Sequence, residues 1–355
     1  MRIHTNIIFT SLIMLALWAP ANTTFAQTKP DVEEELKEIA QEEKEEINQK
    51  TIFSFAIEND LFGIPARDNN YTNGARLSWF RPGATPPALF EKIDDYIPTF
   101  DVNETTSIHY SIGQNLYTPD DISIKNPEND ERPYAGFLYG SAGLMTAYDN
   151  HIDEIELTLG IVGPWALGEE TQKLVHELID TTHPEGWDNH QLKNEPALMF
   201  SAQRRWPQFY EANLPGSLVF TTSPYTGATI GNVYTYANTG IDFRLRPKRS
   251  EWDDTPLRVR PSMPGTGYFQ SNKFDWYLFA GLDGRAIGQN IFLDGNSFRD
   301  SPRVDKKYFV GDANIGVAFT LGNVRVSYTL VYRSKEFETQ KKPTSFGAFS
   351  IGYRF

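Results

Sequence analysis

In segments spread from residue 51 to residue 355 the apolar side chains return at every second position, and that period of two makes those segments strands. Phe53, Phe55 and Ile57 share one face of the first such segment, with Ser54, Ala56 and Glu58 on the other. The last segment repeats the pattern. Gly347, Phe349, Ile351, Tyr353 and Phe355 alternate with Ala348, Ser350, Gly352 and Arg354. Beyond the first residues no run is long and apolar enough for a transmembrane helix. Sheets patterned in this way either bury the apolar face in a soluble core or turn it outward to lipid in a closed barrel.

The two ends favour the barrel. Arg2, the 12-residue, largely apolar run Ile7 to Trp18, and the small residues of Thr24-Phe25-Ala26 read as a secretory signal, with 1–26 removed. A run of that length is short for a bilayer span. The aromatic end of the final alternating segment resembles the insertion signal of bacterial outer-membrane barrels. The mean hydropathy of -0.45 suits a barrel, because only alternate residues meet lipid, and the 14% of aromatic residues suits interfacial girdles. There is no cysteine, so no disulfide supports the fold.

The expected fold class is therefore all-β: a closed antiparallel transmembrane β-barrel over 51–355, with a short helix in an extracellular loop. Twelve strands are expected, near 51–59, 70–81, 105–115, 135–148, 151–162, 195–206, 217–226, 231–246, 273–288, 306–321, 322–333 and 345–355. The first connection, 60–69, then falls outside, as do 116–134, 163–194, 227–230, 289–305 and 334–344. Two inner connections, 82–104 and 247–272, are long for periplasmic turns and are expected to hold small helices or to cover the barrel base. Residues 27–50 are acidic, with an apolar stripe too sparse for a core helix, and read as a periplasmic linker or solvated helix. The formal charge of -13 argues against nucleic acid as a partner. Against an anionic lipid surface it calls for divalent cations or local basic residues.

In the loop 163–194, Gly168-Glu169-Glu170 starts a helical patch that ends before Pro184 and Gly186. Leu167, Leu174, Val175 and Leu178 form its apolar stripe. Gln172 and His176, four apart, share another face. The helix is expected to lie over the outer rim. Of the six histidines, His176, His183 and His190 fall in this loop. Asn59 continues the lipid-facing row of Phe53, Phe55 and Ile57, and Asp60 follows it. A carboxamide beside a carboxylate at that point is where a hard cation meets a lipid headgroup. The bland alternative is an Asx cap at a strand-to-loop turn. Neither a Gly-x-Ser-x-Gly elbow nor a His-Glu-x-x-His motif occurs, which argues against a serine triad and a zinc protease site.

Several segments carry a specific resemblance. They are Glu58-Asn59-Asp60-Leu61-Phe62, Asn70-Tyr71-Thr72-Asn73-Gly74, Gly113-Gln114-Asn115-Leu116-Tyr117-Thr118-Pro119 and Glu131-Arg132-Pro133-Tyr134-Ala135-Gly136. Further on come Gly186-Trp187-Asp188 with Asn194-Glu195-Pro196, and Asn290 to Asn296. Together they resemble the lipid A 3'-O-deacylases, calcium-dependent barrel esterases of the outer membrane. The resemblance implies His176 as general base, Thr72 as an active-site hydroxyl, and Asn59 and Asp60 as both catalytic residues and Ca2+ ligands. It implies Lys125 as a substrate contact and Gln172, one turn before His176, as a support on the catalytic helix. Activated water would then hydrolyse the 3'-linked acyl ester of lipid A in the outer leaflet. Apart from the resemblance, Arg132 reads as a contact to lipid phosphate, and Glu58, on the inward face, as a support behind Asp60. The expected partners are lipopolysaccharide and the outer membrane, and the expected state is a monomer. The rival readings are a barrel phospholipase and a non-enzymatic channel or binding protein.

Overall fold

The computed structural model describes residues 50–63, 70–84, 86, 97, 100–128, 130–178, 180–248, 257–259, 265–270 and 272–355. The expected signal peptide, 1–26, and nearly all of the expected linker, 27–50, lie outside these residues. Thirteen strands are described: β1 (Ile52–Asn59), β2 (Asn70–Arg81), β3 (Ser107–Thr118), β4 (Ala135–Ala147), β5 (Ile152–Val162), β6 (Glu195–Arg205), β7 (Tyr210–Leu214), β8 (Leu218–Gly231), β9 (Tyr234–Pro247), β10 (Asn272–Asn290), β11 (Phe309–Gly322), β12 (Val324–Arg333) and β13 (Thr344–Arg354). Each pairs antiparallel with its neighbour in sequence, except that β6 pairs with β8 and β13 returns to β1. Twelve strands close a barrel and β7 stands outside the circuit, pairing with β8 alone. Among the described residues no helix is long and apolar enough to cross a membrane.

The thirteenth strand departs from the expected twelve, and proline explains it. β8 pairs with β6 up to Arg205↔Tyr225 and with β7 from Tyr210↔Thr222. Ser223 and Pro224 face the gap between them. Proline has no N–H for the ladder, and its carbonyl instead takes the Trp206 N–H at 3.0 Å. The outer link between β8 and β9 also differs. The expected turn at 227–230 is strand, and the chain reverses at Asn232-Val233.

Burial alternates along the wall as the period requires. Leu157 and Leu159 of β5, Ile112 of β3 and Leu198 of β6 are exposed on the outside. Ser54, Glu58, Arg76, His109, Asn115, Glu154 and Glu156 are buried on the lumen side. There charges pair directly, as in Arg76–Glu156 at 2.9 Å and Asp312 with both Arg285 at 2.7 Å and Arg333 at 2.9 Å. At the outer end α2 (Ile291–Asp294) packs Ile291 and Phe292 into a core with Tyr117, Phe137, Met199 and Phe346.

The described parts of the two long inner connections take different sides of the wall. In 82–104, Phe100 packs on Ile108, Leu144 and Ile155, which have the lipid-facing phase, with Ile97 and Val102 against the same cluster. In 247–272, Leu257 and Val259 pack on Ala56, and Phe269 packs on Ile52, Phe80, Met145 and Ile152. These side chains lie inside the lumen, so the described part of this connection plugs the barrel and does not lie across its base. Glu58 anchors it: Oε1 accepts the Val259 N–H at 3.0 Å and Arg258 Nε at 3.2 Å. From the far side Asn115 Nδ2 donates to the Val259 carbonyl at 3.1 Å.

The seam between the first and last strands runs from Ile52↔Arg354 to Asn59↔Gly347. Beyond it the 3-10 turn Asp60–Phe62 folds against β13 and β12. Tyr328 Oη donates to the Phe62 carbonyl at 2.7 Å, and the Phe62 ring meets Phe349 edge-on at 5.2 Å. Gly347 permits this approach, since a methyl there would lie 2.5 Å from the Phe62 carbonyl oxygen.

Candidate active site on the outer face of the wall

Asn59 ends β1 with the outward phase, and its register partners trace a row around the wall: Gly347, Asn59, Asn73, Leu116 and Gly136 on β13, β1, β2, β3 and β4. All belong to the loop-bearing end. At about 4.8 Å per strand, Leu116 stands roughly 10 Å around the wall from Asn59. Leu116 has the lipid-facing phase yet is buried, because the loop after β5 turns back over it.

That loop makes a 3-10 turn, Pro164–Ala166, and then α1, Gly168–Leu178. Both lie on the outside of the barrel. Gln114 Nε2 of β3 donates to the Ala166 carbonyl at 2.6 Å. Two glycines meet where α1 crosses the wall. A methyl on Gly168 would sit 2.9 Å from Gly136 Cα, 2.7 Å from Trp187 Cη2 and 3.0 Å from Leu116 Cδ2. The helix lies beside the wall, not across the mouth, so the expected position over the rim becomes a lateral one.

The inward face of α1 is polar. Gly168, Gln172 and His176, spaced at i, i+4 and i+8, are buried, whereas Leu174 and Leu178 are exposed. Trp187 Nε1 donates to Gln172 Oε1 at 2.7 Å. An indole N–H can only donate, so this bond fixes the amide with its nitrogen on the other arm. Gln172 Nε2 is buried and has no hydrogen-bond partner among the described residues. His176 Nδ1 bonds the Thr182 carbonyl. A carbonyl accepts only from an N–H, so the neutral ring carries its hydrogen on Nδ1 and its basic lone pair on Nε2. Lys173 pairs with Glu169 one turn earlier, which holds its ammonium above the usual range.

Two loops brace this helix. Trp187 and Tyr134, with ring centroids 4.9 Å apart, pack with Leu116 and Ile122. The backbones pair at Tyr134 N–H to His190 O, 2.9 Å, and Leu192 N–H to Tyr134 O, 3.0 Å. His190 is buried with Nε2 3.1 Å from the Glu131 carbonyl, and His183 is exposed. Of the three loop histidines, His176 alone lies on the inward face of α1.

The remaining candidates are placed as follows. Asn59 Oδ1 caps the Leu61 N–H at 2.7 Å, and Asp60 is fully buried. Thr72 is the extra residue of a bulge in the β2–β3 register, between Tyr71 and Asn73, and its side chain lies outside the described residues. Lys125 is exposed in the loop after β3, where its carbonyl accepts Asn189 Nδ2 at 3.1 Å. Glu58 points into the lumen beneath Asn59. Arg132 is not brought to the outer-face group. It is fully buried, pairs with Glu336 at 3.3 Å and lies over the Tyr117 ring on the lumen side. Trp187 and Gly136 were legible only as members of matched segments, with no role assigned to them, and the Gly136–Gly168 contact was not legible at all. Their roles rest on contacts between loops distant in the chain.

The sequence matches the family described as outer membrane protein LpxR over residues 8–355. The chain belongs to the LpxR family. Its members are the lipid A 3'-O-deacylases, and the protein is an outer-membrane lipid A deacylase. Among solved structures the fold resembles LpxR from Salmonella typhimurium, with a TM-score of 0.70 at 20% identity, covering 86% of this chain and 100% of that one. The β domain of the Bordetella autotransporter Brka scores 0.40 at 9% identity, covering 86% of this chain and 98% of that one. No curated protein sequence matches the chain.

Proposed function

We propose that the outer-face group hydrolyses the 3'-linked acyl ester of lipid A, with His176 as general base. The observation that carries this reading is the direction of α1. It turns Gln172 and His176 toward the outside of the wall, the side from which an outer-leaflet lipid arrives. His176 Nε2 takes a proton from water as it attacks the ester carbonyl, and the Thr182 carbonyl holds the resulting imidazolium through Nδ1. Gln172 Nε2, aimed by Trp187, donates to the oxygen that gains charge. The leaving sugar hydroxyl recovers its proton from the same imidazolium. Lys125 reaches a lipid phosphate from its exposed loop.

The donors at the end of β1 suit a hard cation. Asn59 offers a carboxamide oxygen with a second lone pair beyond the Leu61 cap, and Asp60 a buried carboxylate. Among the described residues no group of three or more acidic, histidine or cysteine side chains is placed around a metal. Calcium takes six to eight oxygens, so backbone carbonyls, water and lipid would have to supply the rest of the shell. Bound there, Ca2+ supplies positive charge for the oxyanion.

Two measurements test this. Chelation should abolish release of the acyl chain, followed by mass spectrometry of lipid A, and calcium should restore it. His176→Asn should fold, judged by heat-modifiable gel mobility, and lose about 10²–10⁴-fold in turnover. Full turnover in excess chelator, or in His176→Asn, would overturn the respective role.

A further inference from the structure

We infer that the outward flank of α1 is a membrane-contact surface whose partner is the hydrocarbon of the outer leaflet. In a water-soluble protein the apolar flank of a surface helix turns inward. Here the arrangement is reversed. The inward face carries Gln172 and His176, and the apolar residues are left uncovered, Leu174 at 58% and Leu178 at 76% exposure. Trp165 and Leu167, just before the helix, are exposed as well.

The surface around α1 indicates what covers it. The helix lies on the outside of the barrel, against Leu116 and Gly136, so its free side faces the surroundings of the wall and not the lumen. It also continues the lipid-facing belt. Leu157 and Leu159 are exposed on β5, and Leu159 stands beside exposed Leu198 of β6. Trp165 follows within a few residues, at the end of the strand where an indole sits at a membrane interface. At 3.6 residues per turn, Leu174, Leu178 and Val175 fall on one flank of α1 and Glu169 and Lys173 on the other, with Glu170 and Glu177 at the boundary between them. An apolar flank against a charged one is the division of a helix lying in the interfacial plane. The apolar flank thus rests among acyl chains while the charged flank meets headgroups and water. The helix is held to the wall by its polar face and to the leaflet by this flank.

The inference rests on the outer-membrane placement, and its first test needs no turnover, so it stands or falls separately from the hydrolytic reading. The chain has no cysteine, so a single introduced cysteine can be labelled cleanly. Leu174→Cys and Leu178→Cys, labelled with an environment-sensitive fluorophore in vesicles of acyl-brominated phosphatidylcholine, should be quenched as strongly as Leu159→Cys on the lipid-facing wall. Lys173→Cys, on the charged flank, should instead be quenched by aqueous iodide. Iodide quenching at 174 and 178 without bromolipid quenching overturns the inference. So does protection from both quenchers together with cross-linking between two copies of the chain. In a second measurement, Leu174→Gln with Leu178→Gln should raise KM for bilayer-embedded lipid A about tenfold or more, from the burial lost by two leucines. The barrel should still fold and kcat should persist. An unchanged KM in a folded double variant also overturns the inference.

Discussion

Substituting Gly168 by alanine separates stability from chemistry. The added methyl would lie 2.7 Å from Trp187 Cη2 and 2.9 Å from Gly136 Cα. Carbon atoms rest about 3.5–4.0 Å apart, so the start of α1 must withdraw from the wall by about 1 Å. Moving a catalytic group by that distance costs on the order of 10²-fold in rate. Alanine also favours a helix over glycine by up to about 1 kcal/mol, so the helix itself should not melt. Gly168→Ala should therefore keep heat-modifiable mobility and unfolding midpoint while turnover, measured as lipid A deacylated per enzyme by mass spectrometry, falls about 100-fold. Gly140→Ala on the same strand as Gly136 is the control, since its methyl would have 3.7 Å to the nearest atom, the Ser111 carbonyl oxygen. Wild-type turnover in a folded Gly168→Ala protein would refute the claim that contact between helix and wall positions His176.

Trp187→Phe removes the donor that orients Gln172. Leaving that buried oxygen unsatisfied costs about 1–3 kcal/mol, and steady-state kinetics should show kcat reduced about tenfold or more with KM kept; an unchanged kcat removes Gln172 from the oxyanion role. Glu58→Ala releases Arg258 and Val259 from the lumen wall and should raise single-channel conductance in planar bilayers, whereas a conductance equal to wild type would mean that the plug is held without it. Arg132→Ala leaves Glu336 buried without that partner and should lower stability by about 3 kcal/mol, read from the urea midpoint, while lipid A turnover in the folded fraction persists.

The barrel was legible because its signal is repeated in every strand, and the outward row through Asn59 followed from the phase of β1 alone. The break between β6 and β7 was harder to read. Its cause is Pro224, which acts on a neighbouring strand and not on its own. The positions of 82–104 and 247–272 were hidden for a related reason: Phe100 and Phe269 are equally apolar, yet one packs outside the wall and the other inside. Periodicity gave the polar and apolar sides of α1 correctly but not their direction. The usual rule assumes water outside, and beside a membrane wall the apolar side has two possible hosts. The place of Arg132 was decided by Glu336, more than two hundred residues away, a distance across which one sequence carries no pairing signal.

Asn59 and Asp60 stand at the end of the one strand pair whose members are farthest apart in the chain. Until β13 docks beside β1, nothing lies against Asn59 on that flank, and the turn that carries Asp60 lacks both Tyr328 and Phe349. A sheet still open at this join leaves the turn that carries Asp60 unbraced, although α1 itself rests on β3 and β4. On the roles proposed for Asn59 and Asp60, a barrel open at this join is an unfinished catalyst. On that reading, circular closure of the wall is a condition of competence.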